Sequence, residues 1–231
     1  MISPTIIRFI FLLLLLIAGL AALSQPTQPM VWFEAVECAQ ENGNFSTTLL
    51  FQRRVFLEKE HTYQHIYWAS GNYKLDARFS VGGGLIYVAY QKEVDEGYAT
   101  VPEIRPFQYL TFTQKLGNTK WTLRNMVEER YMSSVMQNEI QKTSKFNMRY
   151  RFRLKGLIPI SNRLGLELSN EVLFNGKQLP VKVFSQNRAV ARLRYMLGNW
   201  SINGGVMHWL VNSSTASEHR PALLVGFSHK F

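Results

Sequence analysis

The residues best placed to do chemistry in this 231-residue chain are arginines and glutamates that recur at every second position. Arg149, Arg151 and Arg153 lie in the run Lys145-Phe-Asn-Met-Arg-Tyr-Arg-Phe-Arg-Leu-Lys155. Upstream, Arg124, Glu128 and Arg130 share one parity among themselves; downstream, Glu167 shares one with Glu171, and Arg188 shares one with Arg192 and Arg194. Gathered on one surface, eight guanidinium groups against three carboxylates would attract phosphate or carboxylate. Such a surface is either a narrow anion-preferring passage or a pocket for an acidic ligand. The same residues could instead form salt bridges that fill an interior, because buried charges have to be paired.

Other chemistries find less support. A hydrolytic site needs a nucleophile with a base in hydrogen-bond reach. The histidines are His61, His65, His208, His219 and His229. Of these, His229 could approach Ser201 on an adjacent strand, as an outer-membrane lipid hydrolase would require, but no third group orients the pair. No metal spacing, phosphate loop or nucleotide fingerprint is present, so no catalytic residue, metal or cofactor is assigned. The net charge is +10, yet the cations alternate along extended segments instead of forming a patch, which argues against nucleic acid. Cys38 is the single cysteine, so no internal disulfide framework is expected, and it reads as a small apolar strand residue.

Alternation also identifies the elements that hold these groups. Between Lys145 and Lys155 the even positions are Phe146, Met148, Tyr150, Phe152 and Leu154, opposite the cationic parity. Successive strand residues point to opposite faces, so this is one strand with an apolar and a cationic side. It spans about 35 Å, enough to cross a bilayer core when tilted.

Further strands are expected at 30–39, 45–57, 62–75, 78–91, 103–116, 121–132, 164–175, 184–197, 200–211 and 219–231. Gly82-Gly83-Gly84 falls inside one of them and marks a bend, a bulge or a close backbone approach. Polar loops are expected at 92–102, 133–143, 176–182 and 212–218, alternating with short turns. No helix is convincing. Facing residues of paired strands must share a face. Across Gly198-Asn199 that sets Arg194 against Asn203 and Arg192 against Gly205. Across the turn near Pro159, it sets Glu171 against Arg151 or Arg153, one register also bringing Glu167 opposite Lys155. Asn125 and Glu129 sit on the parity otherwise apolar, and between Phe45 and Gln91 the faces are not distinguishable.

This alternation suits either a secreted soluble β-barrel or sandwich with an apolar core, or a membrane barrel with apolar residues on lipid and arginines in the lumen. Three features favour the membrane. Residues 1–24 read as a signal peptide, with Arg8, an apolar run from Phe9 to Leu23 and Ala22-Leu-Ser24 at the cleavage positions. Trp121 and Trp200 share the apolar parity beside short turns, where an interfacial girdle belongs. Leu223, Val225 and Phe227 share the parity of Phe231, resembling the terminal signature of outer-membrane barrels, from which His229 departs.

The expectation is therefore an all-β, antiparallel, up-and-down transmembrane β-barrel over 45–231, preceded by a leader at 25–44 with a possible extra strand at Met30 to Ala39. Ten strands are expected, since termini on one side require an even number, with twelve the alternative. Cell outer membrane is the expected location. The expected partners are its lipid, the barrel assembly machinery during biogenesis and small anions.

Several short stretches resemble a known family. Glu103-Ile-Arg-Pro-Phe-Gln108, Arg124 with Glu128 and Arg130, Leu168-Ser-Asn-Glu171 and Gln186-Asn-Arg188 resemble, in order and spacing, domain of unknown function 2490, exported β-barrel proteins of Gram-negative bacteria. The resemblance implies the fold and the outer membrane. It implies no activity.

Overall fold

A computed structural model describes residues 28–41, 43–57, 62–95, 97–136, 139–176, 183–212 and 217–230. The expected signal peptide at 1–24, His61 and Phe231 lie outside them. The described residues form eleven strands: β1 (Met30–Glu41), β2 (Phe45–Phe56), β3 (Thr62–Lys74), β4 (Phe79–Val94), β5 (Gly97–Leu116), β6 (Thr119–Met136), β7 (Glu139–Pro159), β8 (Leu164–Gly176), β9 (Val183–Leu197), β10 (Trp200–Asn212) and β11 (Ser217–Lys230).

Each strand from β2 to β11 pairs antiparallel with the next, and β1 closes the barrel between β2 and β11. Closure leaves the body of the wall, among the described residues, without an open strand edge. The strand number is neither ten nor twelve. The segment at Met30 to Ala39, doubtful from sequence, is a full member of the wall, pairing antiparallel with β2 and parallel with β11. A parallel seam removes the need for an even count, and it sets the start of β1 and the end of β11 at opposite ends of the barrel.

The turns at 43–44, 75–78, 117–118, 160–163 and 198–199 share one end with the end of β11, here the lower end. Gly117 and Gly198 begin two-residue turns with φ of +57° and +61°, which residues with a Cβ rarely adopt. In the 75–78 turn the Asp76 carboxylate accepts from the Arg78 and Phe79 amides, both at 2.6 Å. The Phe79 amide foremost, then that of Arg78, holds its pKa below the usual carboxylate value.

The upper end differs from expectation. Most of the supposed loops at 92–102 and 133–143 are strand, so β4 to β7 run to 16, 20, 18 and 21 residues and continue as hairpins past their neighbours. The remaining strands have 12 to 15 residues, about 28 to 35 Å high at a tilt near 45°.

The glycine run in β4 marks close approach and no bulge: a Cβ on Gly84 would lie 2.0 Å from the Ala69 carbonyl, and one on Gly82 would strike the Tyr109 ring. Register shifts fall elsewhere, at Arg54/Val55, Met132/Ser134 and Leu173/Phe174.

The outer surface is apolar. Phe51, Tyr67, Tyr87, Phe152, Trp200, Ile202 and Phe227 are between 38% and 55% exposed. Trp121 covers Gly156 on this surface, and Trp200 stacks on His229 at 4.2 Å. Some polar side chains on this face are locally paired: Glu129 accepts from Tyr131, and Asn170 and Asn187 exchange amide hydrogen bonds of 3.2 and 3.0 Å.

Candidate functional site

The inward parity carries the charge. Arg124, Glu128, Arg130, Arg149, Arg151, Arg153, Glu167, Glu171, Arg188, Arg192 and Arg194 all lie on the lumen face of β6 to β9, because the paired registers set them opposite one another on a single side. The realised β7–β8 register places Arg153 against Glu171 and Lys155 against Ser169. Lys155 therefore reaches Glu167 diagonally, at 3.9 Å, instead of from directly opposite.

Across β5 to β8 these side chains form a continuous ladder. Glu103 accepts from Arg105 at 2.7 Å and Arg130 at 2.6 Å. Glu128, fully buried, is hydrogen-bonded by Arg151 and has Arg105 and Arg149 each at 3.9 Å. Glu171 takes two donors from Arg151, the closer at 2.8 Å, with Arg124 at 3.1 Å and Arg188 at 3.6 Å. Each carboxylate is shared by several guanidinium groups, the arrangement that offsets the cost of burying ions.

Above and beside the ladder the lumen is filled by apolar side chains. Met30, Trp32, Phe56, Met207, Trp209, Ala222 and Leu224 form one buried cluster, and Ile66, Ile86, Val88, Phe107 and Met126 another. Trp32 and Trp209 meet edge to face at 5.4 Å, with the Arg54 guanidinium 3.5 Å over the Trp32 ring. Arg220 lies 5.2 to 5.6 Å from the Trp209, Tyr63 and Phe56 rings and pairs with Glu218. This aromatic cluster occupies the upper end.

The lower half is roomier. Small side chains line it on one side, among them Gly82 and Ser70 from β3–β4 and Ser201, Gly205, Gly226 and Ser228 from β10–β11. A cavity of about 470 Å³ runs through the lumen, bordered below by Arg153, Lys155, Arg192 and Arg194, passing the ladder at Arg105, Arg149, Arg151 and Glu171, and reaching up to Trp32, Tyr63 and Trp209. Accessibility rises downward, from 0% at the Glu128 side chain to 29% at Lys155 and 33% at Arg194. Carboxylates are sparse in this half: Glu34 binds Arg192 at 3.1 Å, and Glu167 lies 3.8 Å from Arg194. Arg153 has no carboxylate within 4 Å among the described residues, and the buried Nε atoms of Arg124, Arg188 and Arg192 have no acceptor.

Sequence reasoning missed several of these groups. Glu34 and Arg54 lie where the faces or the strand itself were undecided; Glu34 also receives Gln52 at 3.1 Å, and Gln52 accepts from Arg54 at 2.7 Å. Glu103 and Arg105 were visible only as part of a family-like stretch. The parity set by Arg188 and Arg192 extends through the β9–β10 pairing to Trp209 and Met207, so the plug had a legible signal.

The hydrolase pair does not form. Ser201 pairs with Ser228, their hydroxyls 2.6 Å apart on the lumen side, whereas His229 pairs with Trp200 on the outer face and contacts Glu37 at 2.8 Å. One residue of register parity puts them on opposite sides of the wall. Cys38 lies on the inward parity, its sulfur 3.8 Å from the Thr48 hydroxyl.

A family model described as protein of unknown function (DUF2490) matches residues 30–220. That span contains every lumen residue named above except Ala222, Leu224, Gly226 and Ser228. No match is found among curated proteins.

Proposed function

The chain belongs to the DUF2490 family of proteins of unknown function, and we propose that it spans the outer membrane of a Gram-negative envelope as a barrel with a blind cationic chamber. The observation that carries this reading is the inversion of its surfaces: large apolar side chains outside, an ion-pair ladder within. A water-soluble barrel would expose the charges and bury Phe146 and Phe152, which here face outward at 43% and 45% exposure. Strands of 12 to 15 residues match the height of a hydrocarbon core. In such barrels short turns face the periplasm, so the chamber opens to the periplasm and the aromatic cluster faces outward.

Between a structural barrel and an anion-preferring passage, the buried upper cluster favours the closed form. Met30, Trp32 and Trp209 are between 1% and 6% exposed where a through pore would need water. Fractionation of a Gram-negative host expressing the full chain tests the location. The expected result is recovery with the outer membrane, a shift in gel mobility on boiling, and no steady conductance in planar bilayers. Recovery from the soluble periplasmic fraction without detergent would sink the membrane reading, and a stable ohmic pore would replace the blind chamber with a channel.

A further inference from the structure

We infer that the lower chamber binds a soluble phosphoryl anion, entering from the end that carries the turns at 117–118 and 198–199. The inference deepens the chamber reading, and it requires a closed lumen but not a membrane around it.

Three observations point to this ligand class. The chamber has more cations than its carboxylates can neutralise, and the surplus is local. Arg153, Lys155, Arg192 and Arg194 share Glu34 and Glu167, and Arg153 itself has no carboxylate within 4 Å. Next, the buried Nε donors of Arg124, Arg188 and Arg192 lack a protein acceptor although all three residues border the cavity. A buried donor left unpaired costs about 1–3 kcal/mol, so an arriving acceptor gains that interaction without displacing an existing one. Finally, the donors are grouped on β6, β7 and β9, one arc of the wall, facing a space of about 470 Å³. A planar carboxylate engages one guanidinium fork. A tetrahedral phosphoryl group presents three acceptor oxygens and a second negative charge, and so can satisfy several forks together.

Size and access narrow the class further. The space exceeds a lone phosphate and falls within the range of small-molecule sites, about 300–1,000 Å³. Its upper wall carries Trp32, Tyr63 and Trp209, whose rings already hold the Arg54, Arg188 and Arg220 guanidinium groups and so close that end. Pyrophosphate, charged along its whole length, suits the cationic part of the space. Entry past the accessible Lys155 and Arg194 is from solvent and not from the apolar outer surface, which selects a soluble phosphate over a lipid headgroup.

The test is calorimetry with inorganic pyrophosphate on the full chain folded in detergent, at fixed ionic strength. Wild type is expected to bind saturably, and Arg153→Ala to weaken binding about tenfold, the loss of one charge-assisted fork. Arg153→Gln keeps the stem and one donor group, guards against misfolding, and is expected to weaken binding similarly. Arg163→Ala, in the exposed 160–163 turn and outside the cavity wall, is expected to change affinity less than about twofold.

No binding to wild type that shows the folded gel mobility overturns the inference. Equal weakening by Arg163→Ala reduces it to diffuse electrostatics and overturns it, as does binding only to phosphatidic-acid vesicles. Pyrophosphate binding by protein recovered from the soluble fraction would uphold it while the membrane reading failed.

Discussion

Two parts of one lumen, built from the same residue type on the same parity, do different things. Along β5 to β8 the guanidinium groups of Arg105, Arg130 and Arg151 lie 2.6 to 2.8 Å from carboxylate oxygens, and Met126, Phe107 and Ile86 pack beside them. Lower down, Lys155, Arg192 and Arg194 sit 3.1 to 3.9 Å from theirs, across from glycines and serines. The number of carboxylates and the bulk of the opposing side chains decide the outcome. Three glutamates and large neighbours make the arginines structural. Two glutamates and small neighbours leave them available.

If that contrast is right, the ladder should fail hardest when a carboxylate is neutralised. Glu128→Gln keeps the shape but leaves Arg151, Arg105 and Arg149 without their shared counter-charge. Removing one partner of a buried ion pair costs about 3–5 kcal/mol. Urea unfolding followed by gel mobility should show a large fall in the midpoint. A change under about 1 kcal/mol would mean that water, and not Glu128, screens the ladder, and the two halves would then be alike.

How much of this was written in the sequence depends on which half is considered. The run from Phe146 to Leu154 alternates without exception, so β7 and its cationic side could be read by counting, and the β9–β10 register followed from a two-residue turn. The first four strands resisted. There Trp32, Ile66, Trp68, Ile86 and Val88 occupy the inward parity, so apolar residues stand on both faces and the period-two signal cancels. The upper hairpins were hidden for another reason: polar residues at 92–102 read as loop because they rise above the apolar outer belt while remaining paired. The eleventh strand could not be inferred from a rule of even numbers, because its parallel seam depends on pairing far apart in the chain.

A smaller effect is expected where the roomy half depends on a missing side chain. A Cβ on Gly205 would lie 2.3 Å from the Ala191 carbonyl and 2.7 Å from the Arg192 Cα, so Gly205→Ala must push β9 away. Overpacking of this kind costs about 1–3 kcal/mol. The same displacement should move Arg192 off Glu34 and narrow the chamber. The measurement is twofold, a lowered unfolding midpoint together with weaker pyrophosphate binding. Loss of stability with binding unchanged would show that the glycine serves strand packing alone and not the shape of the chamber.

The mildest change belongs at the mouth. Arg194 is one-third exposed, sits 3.8 Å from Glu167, and donates through Nε to Asn203 at 3.1 Å. An ion pair this open to solvent contributes about 0–1 kcal/mol, because water screens it and two long side chains lose freedom in forming it. Arg194→Ala should therefore unfold within about 1 kcal/mol of wild type, in contrast to Glu128→Gln. Its remaining effect should be kinetic. A cation at an entrance raises the local concentration of an approaching anion, so the association rate for pyrophosphate should fall and lose some of its salt dependence while the dissociation rate changes little. Stopped-flow tryptophan fluorescence, reading Trp32 and Trp209 in the chamber wall, separates the two rates. A change confined to dissociation would place Arg194 among the groups that hold the ligand and would move the boundary between entrance and site one residue down β9.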